Sequence, residues 1–219
     1  MRRGLSARSA KQEIRTDLGT YIYLAASTTL VFALFGGVVG HLADRLALLA
    51  TTDPLTGLFN PRAFQERLSQ ELRRAARYQE PIALLIADLD GLKRVNDQYG
   101  HGEGDAAIRS VAAAMRRELR NIDVGARLGG DEFGVLTPRT NEQSAVVLAE
   151  RLRARVVKEM NRRGDRGATI SIGIASIEPS GHEGATPVSL MKAADDTLYR
   201  AKREGGNRVA AAHSHPDAS

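Results

Sequence analysis

Residues 127–133 read Arg-Leu-Gly-Gly-Asp-Glu-Phe, with two glycines and two acids between segments that have the composition of strands. Residues 123–128 and 133–137 flank the glycines, and they predict the two arms of a β-hairpin whose tip is residues 129–132. Glycine at the tip permits a turn with positive φ and lets a ligand approach the main chain closely. We therefore predict that Asp131 lies at an exposed turn suited to metal and phosphate. Taken alone, the stretch also fits an ordinary Gly-Gly turn with solvated acids.

A second informative stretch, residues 81–90, is an apolar run that ends in Asp88-Leu89-Asp90. Such a run fits a strand buried on both faces, and acids at its carboxyl end lie where the sheet first meets solvent. Asp88 and Asp131 on adjacent strands would supply the one or two carboxylates that Mg²⁺ usually receives from a protein. By itself, Asp-Leu-Asp is also typical of a strand end or a helix cap.

The domain alternates helical and strand patterns. Helices are predicted at residues 61–77, 92–99, 104–119, 142–160 and 187–203, and strands at residues 82–87, 124–128, 133–137 and 169–177. Helices alternating with strands, plus one hairpin, indicate a two-layer or three-layer α/β (α+β) arrangement with a mixed antiparallel sheet.

Composition limits the chemistry. The chain has 219 residues and 42% hydrophobic content, enough for one ordinary domain plus an extension. It contains no cysteine, which excludes disulfides, thiol nucleophiles and thiolate metal sites. The formal net charge is +5, but the basic residues are dispersed along helices with few aromatic residues among them, so we expect no nucleic-acid partner. The sequence has no Walker-type phosphate loop.

Six separated motifs resemble, in the same order, those of the GGDEF family of diguanylate cyclases. They are residues 53–60, 88–97, 100–105, 129–133, 171–175 and 194–202, and the resemblance extends from about residue 53 to residue 209. It implies a ferredoxin-like sheet with surrounding helices, similar to the polymerase palm and the nucleotide cyclases, preceded by one N-terminal apolar helix. It also implies that a homodimer condenses two GTP molecules into cyclic di-GMP and two pyrophosphates.

The resemblance implies a role for individual residues. Asp88, Asp131 and the carbonyl of Leu89 are expected to hold two divalent ions, Mg²⁺ or Mn²⁺, and Asp131 to assist deprotonation of the attacking hydroxyl. Asn96 and Asp105 are expected to recognise guanine, because an amide and a carboxylate match its acceptors and donors. The remaining substrate contacts are expected from Lys93 and Lys202, which suit the β- and γ-phosphates, and from Gly129 and Gly130.

Two further features concern regulation and strength of activity. Arg120 and Asp123 have the spacing of the family's product-inhibition motif, and Arg-x-x-Asp is otherwise a common surface ion pair. Gly206 stands where the family commonly has arginine, which removes an expected phosphate contact unless Arg208 or Arg203 compensates. Leu92 replaces the usual phenylalanine. The alternative function is therefore a catalytically weak or inactive domain that binds cyclic di-GMP or GTP as a signalling module.

The N-terminal segment has a different character. Residues 18–43 contain no charged side chain, which predicts a transmembrane helix after a basic segment of residues 1–17. The alternative is a buried helix in a soluble dimer. Residues 44–52 are expected to form a helical linker, with leucines at 42, 46 and 49 as a short coiled-coil stripe. Residues 53–209 form the expected catalytic domain, and residues 210–219 a disordered tail.

Membrane orientation is the one conflict within the sequence. The basic residues before the apolar run predict a cytoplasmic N-terminus and an external domain, whereas GTP is cytoplasmic. We expect the catalytic domain on the cytoplasmic side of the inner membrane. Either the domain is cytoplasmic despite the weak charge signal of the basic N-terminal segment, or Gly36-Gly37 marks a hairpin or kink.

Overall fold

The computed structural model describes residues 4–49, 51–162 and 168–212, and within the first helix it describes the side chains of residues 19–41. The chain forms two compact units, residues 1–50 and 51–219.

The first unit is one long helix, α1 (Gly4–Leu49). Within it, the stretch Gly19–His41 is 23 residues long with a mean hydropathy of 2.0, sufficient in length and composition to cross a bilayer. The helix continues without interruption through Gly36 and Gly37, so the hairpin considered from the sequence is not formed. The leucine stripe lies outside the side chains that are described. Residues 51 and 52 do not extend the helical linker, because Thr52 pairs with Phe59.

The second unit contains helices and strands close to those predicted. Its elements are α2 (Pro61–Tyr78), β1 (Ile82–Asp90), α3 (Leu92–Tyr99), α4 (His101–Glu118), β2 (Val124–Gly129), β3 (Glu132–Pro138), α5 (Glu142–Arg162), β4 (Thr169–Ile177), a short 3-10 turn (Pro179–Gly181), α6 (Pro187–Arg203) and β5 (Val209–Ala211). Strand β5 was not predicted. Ala210 and Ala211 are buried within it rather than part of a disordered tail; residues 213–219 lie outside the described part of the chain.

The five strands form one sheet in the order β2-β3-β1-β4-β5. Neighbouring strands are antiparallel except for the parallel pair β4 and β5. The first four strands and their connecting helices have the ferredoxin-like arrangement, which confirms the fold class expected from the sequence.

Strand β1 lies at the centre of the sheet and is buried along almost its whole length. Its side chains alternate between two cores, as the two-residue period of a strand requires. Leu85 and Leu89 pack with α3, α4 and α5 on one face. Leu84 and Ile86 pack with α2 and α6 on the other. Asp88 has the same parity as Leu84 and Ile86, so its side chain points toward the α6 face.

Helix α6 packs directly on Gly173 of β4. A Cβ atom at this glycine would lie 2.2 Å from the backbone nitrogen of Leu198 and 2.3 Å from the carbonyl oxygen of Ala194. Contacts this short require a residue without a side chain. Gly173 therefore sets the height of α6 above the sheet, and with it the position of the polar residues at the end of α6.

Candidate active site

The predicted hairpin is present, and its tip lies beside the carboxyl end of β1. Gly129 pairs with Glu132 across a two-residue turn in which Gly130 has a φ of 46°. The backbone N–H of Leu89 donates to the carbonyl of Asp131 over 3.1 Å. Backbone pairing therefore brings the turn that carries Asp131 alongside Asp88 and Leu89.

A largely buried arginine holds this turn in shape. The Nε and Nη2 groups of Arg127 donate to the carbonyl of Gly130 over 3.0 and 2.8 Å. Its Nη1 lies 3.3 Å from Oδ2 of Asp53, and both side chains are only 16% exposed. Burial raises the pKa of Asp53, but hydrogen bonds from Thr56 and the charge of Arg127 outweigh this effect, and the net pKa is below its ordinary value.

Asp88 is the electrostatic centre of the site. Its side chain is buried, and Oδ2 lies 2.7 Å from Nζ of Lys202 on α6. Burial raises the pKa of Asp88; the hydrogen bond and charge of Lys202 oppose the rise, whereas the negative charges of Asp131 and Asp90 add to it. The net pKa is above the ordinary value, mainly because the carboxylate is removed from water.

Glu132 is a functional candidate that sequence reasoning missed. It is the direct partner of Asp88 in the pairing of β1 with β3, so both side chains extend from the same face of the sheet. Glu132 and Lys202 also line one cavity of about 410 Å³ between α2 and α6, together with Asp195. Only the strand register, which the sequence does not reveal, brings Glu132 to Asp88.

The donor set fits a hard divalent cation. Asp88 on β1, Asp131 in the turn and Glu132 on β3 offer carboxylate oxygens beside one another, and burial, followed by the negative charges of Asp131 and Asp90, raises the pKa of Asp88. Among the described residues, no three acidic, histidine or cysteine side chains form a ready metal cluster. One or two of these carboxylates could therefore hold a divalent ion only together with water or substrate phosphates.

Asp90 has a structural role and does not join this donor set. It accepts hydrogen bonds from the hydroxyls of Thr169 and Ser171, each over 2.8 Å, and from the backbone N–H of Asn207 over 3.0 Å. It therefore fixes the turn that follows α6. Gly206 in that turn has a φ of 70°, and a Cβ there would lie 3.3 Å from Oδ1 of Asp90. A side chain at position 206 is thus strained in this turn, which explains why glycine is suited to it.

The expected guanine-binding residues lie where α3 meets α4. Oδ1 of Asn96 is buried and has no hydrogen-bond partner among the described residues. A Cβ at Gly104 would lie 1.9 Å from this atom, so the glycine leaves room for the amide. Asp105 follows on α4 and is half-buried, with an ion pair of 3.9 Å to Arg109. Lys93 is exposed in the first turn of α3.

The expected product-binding motif forms a separate site. Oδ2 of Asp123 accepts from the backbone N–H of Arg120 over 2.8 Å, while its buried Oδ1 has no partner within the described chain. Burial raises the pKa of Asp123, although the hydrogen bond and charge of Arg120 oppose the rise. Both residues line a cavity of about 290 Å³ together with Glu118 and Arg151, which sequence reasoning did not identify.

The two sites lie at opposite ends of β2. Arg120 and Asp123 precede the strand, and the turn with Asp131 follows it. The structure therefore brings Asp88, Asp131 and Lys202 together in one site and holds Arg120 and Asp123 in another.

Comparison with known proteins agrees with this geometry. The family model described as "Diguanylate cyclase, GGDEF domain" matches residues 50–208. The chain belongs to the GGDEF family. It is 42% identical over 171 residues to the diguanylate cyclase DgcP of Pseudomonas aeruginosa, covering 77% of this chain and 25% of DgcP. It is 38% identical over 170 residues to the response regulator PleD of Caulobacter vibrioides, covering 76% of this chain and 37% of PleD. The chain thus spans only about a quarter to two-fifths of these relatives.

Solved structures of GGDEF domains have the same fold. The GGDEF domain of DgcB from Caulobacter crescentus, in complex with c-di-GMP, matches with a TM-score of 0.69 and 36% identity, covering 75% of this chain and 97% of that one. The diguanylate cyclase SiaD of Pseudomonas aeruginosa, in complex with its activator SiaC, matches with a TM-score of 0.68 and 31% identity, covering 94% of this chain and 78% of that one.

Proposed function

We propose that the chain is a diguanylate cyclase, a nucleotidyltransferase that condenses two GTP molecules into cyclic di-GMP with release of two pyrophosphates. In each step a 3′-hydroxyl oxygen bonds to the α-phosphorus of the other GTP and pyrophosphate leaves. The observation that carries the proposal is the cluster of buried Asp88, Lys202 and Asp131 at the hairpin. Relatives named diguanylate cyclases, and the DgcB domain in complex with c-di-GMP, support it.

Lys202 is the first residue that we expect to change partner when substrate binds. In the structure its ammonium group neutralises Asp88 at 2.7 Å, and its side chain is 41% exposed. A compact ammonium group on a flexible stem is suited to the β- and γ-phosphates of GTP. We propose that Lys202 and Lys93 bind these phosphates, with Gly129 and Gly130 allowing close approach to the hairpin backbone.

Asp88, Asp131 and the Leu89 carbonyl are the groups that we propose hold the divalent ions, Mg²⁺ or Mn²⁺. Bound there, the ions would supply Lewis-acid stabilisation of the charge that develops on the phosphoryl oxygens. Asp131, which is half-buried in the turn, is also suited to receive the proton of the attacking 3′-hydroxyl.

Asn96 and Asp105 are the residues that we propose select guanine over adenine. The unpartnered Oδ1 of Asn96 is a buried acceptor, and Asp105 adds a carboxylate nearby in sequence on α4. Guanine presents two adjacent donors, N1–H and the 2-amino group, to such acceptors, whereas adenine has an acceptor at N1 and no 2-amino group and would leave an acceptor unpaired.

The reaction requires two GTP molecules, and each second unit offers one cluster of this kind. We therefore propose a homodimer in which two domains face each other. We also propose that α1 anchors the chain in the inner (cytoplasmic) membrane with the domain in the cytoplasm, because Gly19–His41 has the length and hydropathy of a membrane span.

Product feedback is proposed for the second site. The unpartnered Oδ1 of Asp123 is suited to accept from guanine N–H groups, and the guanidinium groups of Arg120 and Arg151 are suited to phosphate oxygens. Cyclic di-GMP carries both kinds of group.

A catalytically weak GTP-binding module is the second candidate function, and Gly206 is the observation that favours it. The turn after α6 offers no side chain at this position. Arg208 is in an ion pair with Glu204 at 2.7 Å, and the guanidinium of Arg203 stacks 5.8 Å from the ring of Tyr199.

The test is synthesis by the purified full chain in detergent micelles, with GTP and Mg²⁺, across a range of protein concentrations. We expect cyclic di-GMP by mass spectrometry, no product from ATP, and a specific activity that rises with concentration as dimers form. GTP binding without product would favour the weak module. Specific activity that is constant on dilution, with a monomer by sedimentation, would contradict the dimer.

A further inference from the structure

The cavity beside Arg120 and Asp123 already contains a carboxylate bound to one of its arginines. Glu118, the last residue of α4, has a side chain only 7% exposed. Its Oε2 accepts from Nε and Nη2 of Arg151 over 3.0 and 2.7 Å. Both hydrogen bonds converge on this one oxygen and occupy the Nε–Nη2 edge of the guanidinium, which is a part of arginine that binds carboxylate and phosphate alike.

The other oxygen of the same carboxylate has a partner of its own. Oε1 of Glu118 accepts from Nε of Arg155 over 2.8 Å, and Nη2 of Arg155 lies 2.7 Å from it. The hydrogen bond from Arg151, followed by that from Arg155, lowers the pKa of Glu118 despite burial. Glu118 is therefore an anion at neutral pH, and it would keep one cationic partner if Arg151 turned away.

The charges around the cavity balance. Arg120 and Arg151 line it, and so do Asp123 and Glu118. The lining therefore offers a phosphate-bearing ligand no net positive charge, and the Nε and Nη2 donors of Arg151 are already used by Glu118. The side chain of Arg151 is 55% exposed, so its guanidinium can rotate toward the cavity without leaving a buried position.

We propose that Glu118 is an internal competitor for Arg151, which a phosphodiester ligand such as cyclic di-GMP must displace to bind between Arg120 and Arg151. The inference rests on the proposed product-binding site. Glu118 then sets the product concentration at which feedback begins, because part of the binding free energy is used to break the Glu118–Arg151 pair. Retention of Arg155 by Glu118 makes the exchange possible without leaving a buried charge unpaired.

The test is calorimetric titration of cyclic di-GMP into the full chain, without GTP, for wild type and Glu118→Gln. The glutamine keeps the shape of the side chain but removes the charge that holds Arg151. We expect the Kd to fall about tenfold, the equivalent of about 1.4 kcal/mol. The matched control is Glu159→Gln. Glu159 also bridges α4 and α5, 3.3 Å from Arg117, and it does not line the cavity. This control should bind like wild type.

A Kd that is unchanged or higher in Glu118→Gln would overturn the proposal. A higher Kd would mean that Glu118 orients Arg151 for the ligand rather than competing for it. The double variant Glu118→Gln, Arg151→Ala should lose the gain in affinity for cyclic di-GMP. A double variant that still binds more tightly than wild type would also contradict the proposal. If melting curves show that Glu118→Gln is unfolded, the same titration is carried out with Glu118→Asp. Its shorter side chain weakens the pair with Arg151, so its Kd for cyclic di-GMP should also fall.

Failure of this inference is distinguishable from failure of the proposed activity. Calorimetry measures binding without turnover, so a chain that makes no cyclic di-GMP still reports the effect of Glu118. If Arg120→Ala binds cyclic di-GMP with the wild-type Kd, the ligand does not use this cavity.

Discussion

Asp53 and Arg127 form an ion pair, with Oδ2 and Nη1 3.3 Å apart, that joins the first residues of the second unit to the turn that carries Asp131. The same guanidinium donates twice to the carbonyl of Gly130. One side chain therefore couples the start of the domain to the shape of the candidate catalytic turn.

Arg127→Lys should lower kcat for cyclic di-GMP synthesis by roughly ten- to a hundredfold, because an ammonium group does not bind Gly130 and Asp53 together and the turn loses its fixed geometry. Steady-state assays with GTP measure this loss. Arg139→Lys is the control, since Arg139 is 53% exposed and pairs with Glu80 at the other end of the hairpin. A wild-type kcat in Arg127→Lys would contradict the role of Arg127 in fixing the turn.

Asp88→Asn should abolish synthesis and yet raise the melting temperature at pH 7 without nucleotide or metal. The folded-state pKa of Asp88 is raised, so the charged carboxylate destabilises the fold at pH values above that pKa. The destabilisation disappears as the pH falls through the raised pKa toward the unfolded value of 3.8. The difference in melting temperature between Asp88→Asn and wild type should therefore become smaller as the pH falls. Thermal unfolding from pH 7 to pH 4 tests this, and a lower melting temperature for the variant at pH 7 would refute it.

Gly173→Ala should destabilise the domain by roughly 1–3 kcal/mol, because the new Cβ meets the backbone of α6 and the helix must move. The control is Gly102→Ala in α4, where a Cβ meets nothing within 4 Å. That change should be neutral or stabilising by up to about 1 kcal/mol. Urea unfolding of both variants gives the comparison, and equal stabilities would rule out close packing of α6 on β4.

Arg120→Ala should raise the concentration of cyclic di-GMP that halves the initial rate, by roughly tenfold or more, because one of the two arginines of the cavity is lost. Initial rates at increasing product concentration measure this. Equal inhibition constants for wild type and Arg120→Ala would mean that Arg120 and Asp123 are only a structural pair at the end of β2.

The fold was largely predictable because its signals are local. The apolar run at residues 82–90 matches a central strand buried on both faces, and the glycines at 129–130 match the hairpin turn. Caps and periodicity set the helix ends within a few residues. Strand β5 was missed because three residues with no alternation carry no strand signal, and only pairing with β4 makes them a strand.

Residues of the candidate site were predictable only where they belong to a recognisable sequence motif. The motifs name Asp88 and Asp131 as candidates, whereas Glu132 joins them only through the register of β1 with β3. Glu118 and Arg151 are far apart in sequence, and only the packing of α4 against α5 brings them together. Such pairings depend on tertiary structure, and neither composition nor spacing contains them.

The most direct test of the central claim is the rate of cyclic di-GMP formation by Asp131→Asn, compared with Asp196→Asn at an exposed position on α6. Both substitutions replace a carboxylate with an amide, which is a poor ligand for a hard divalent ion and a poor proton acceptor. With folding verified by melting curves, we expect product formation by Asp131→Asn to fall at least about a hundredfold and that by Asp196→Asn to stay near wild type. Synthesis by Asp131→Asn at the wild-type rate would contradict the assignment of this hairpin as the catalytic centre.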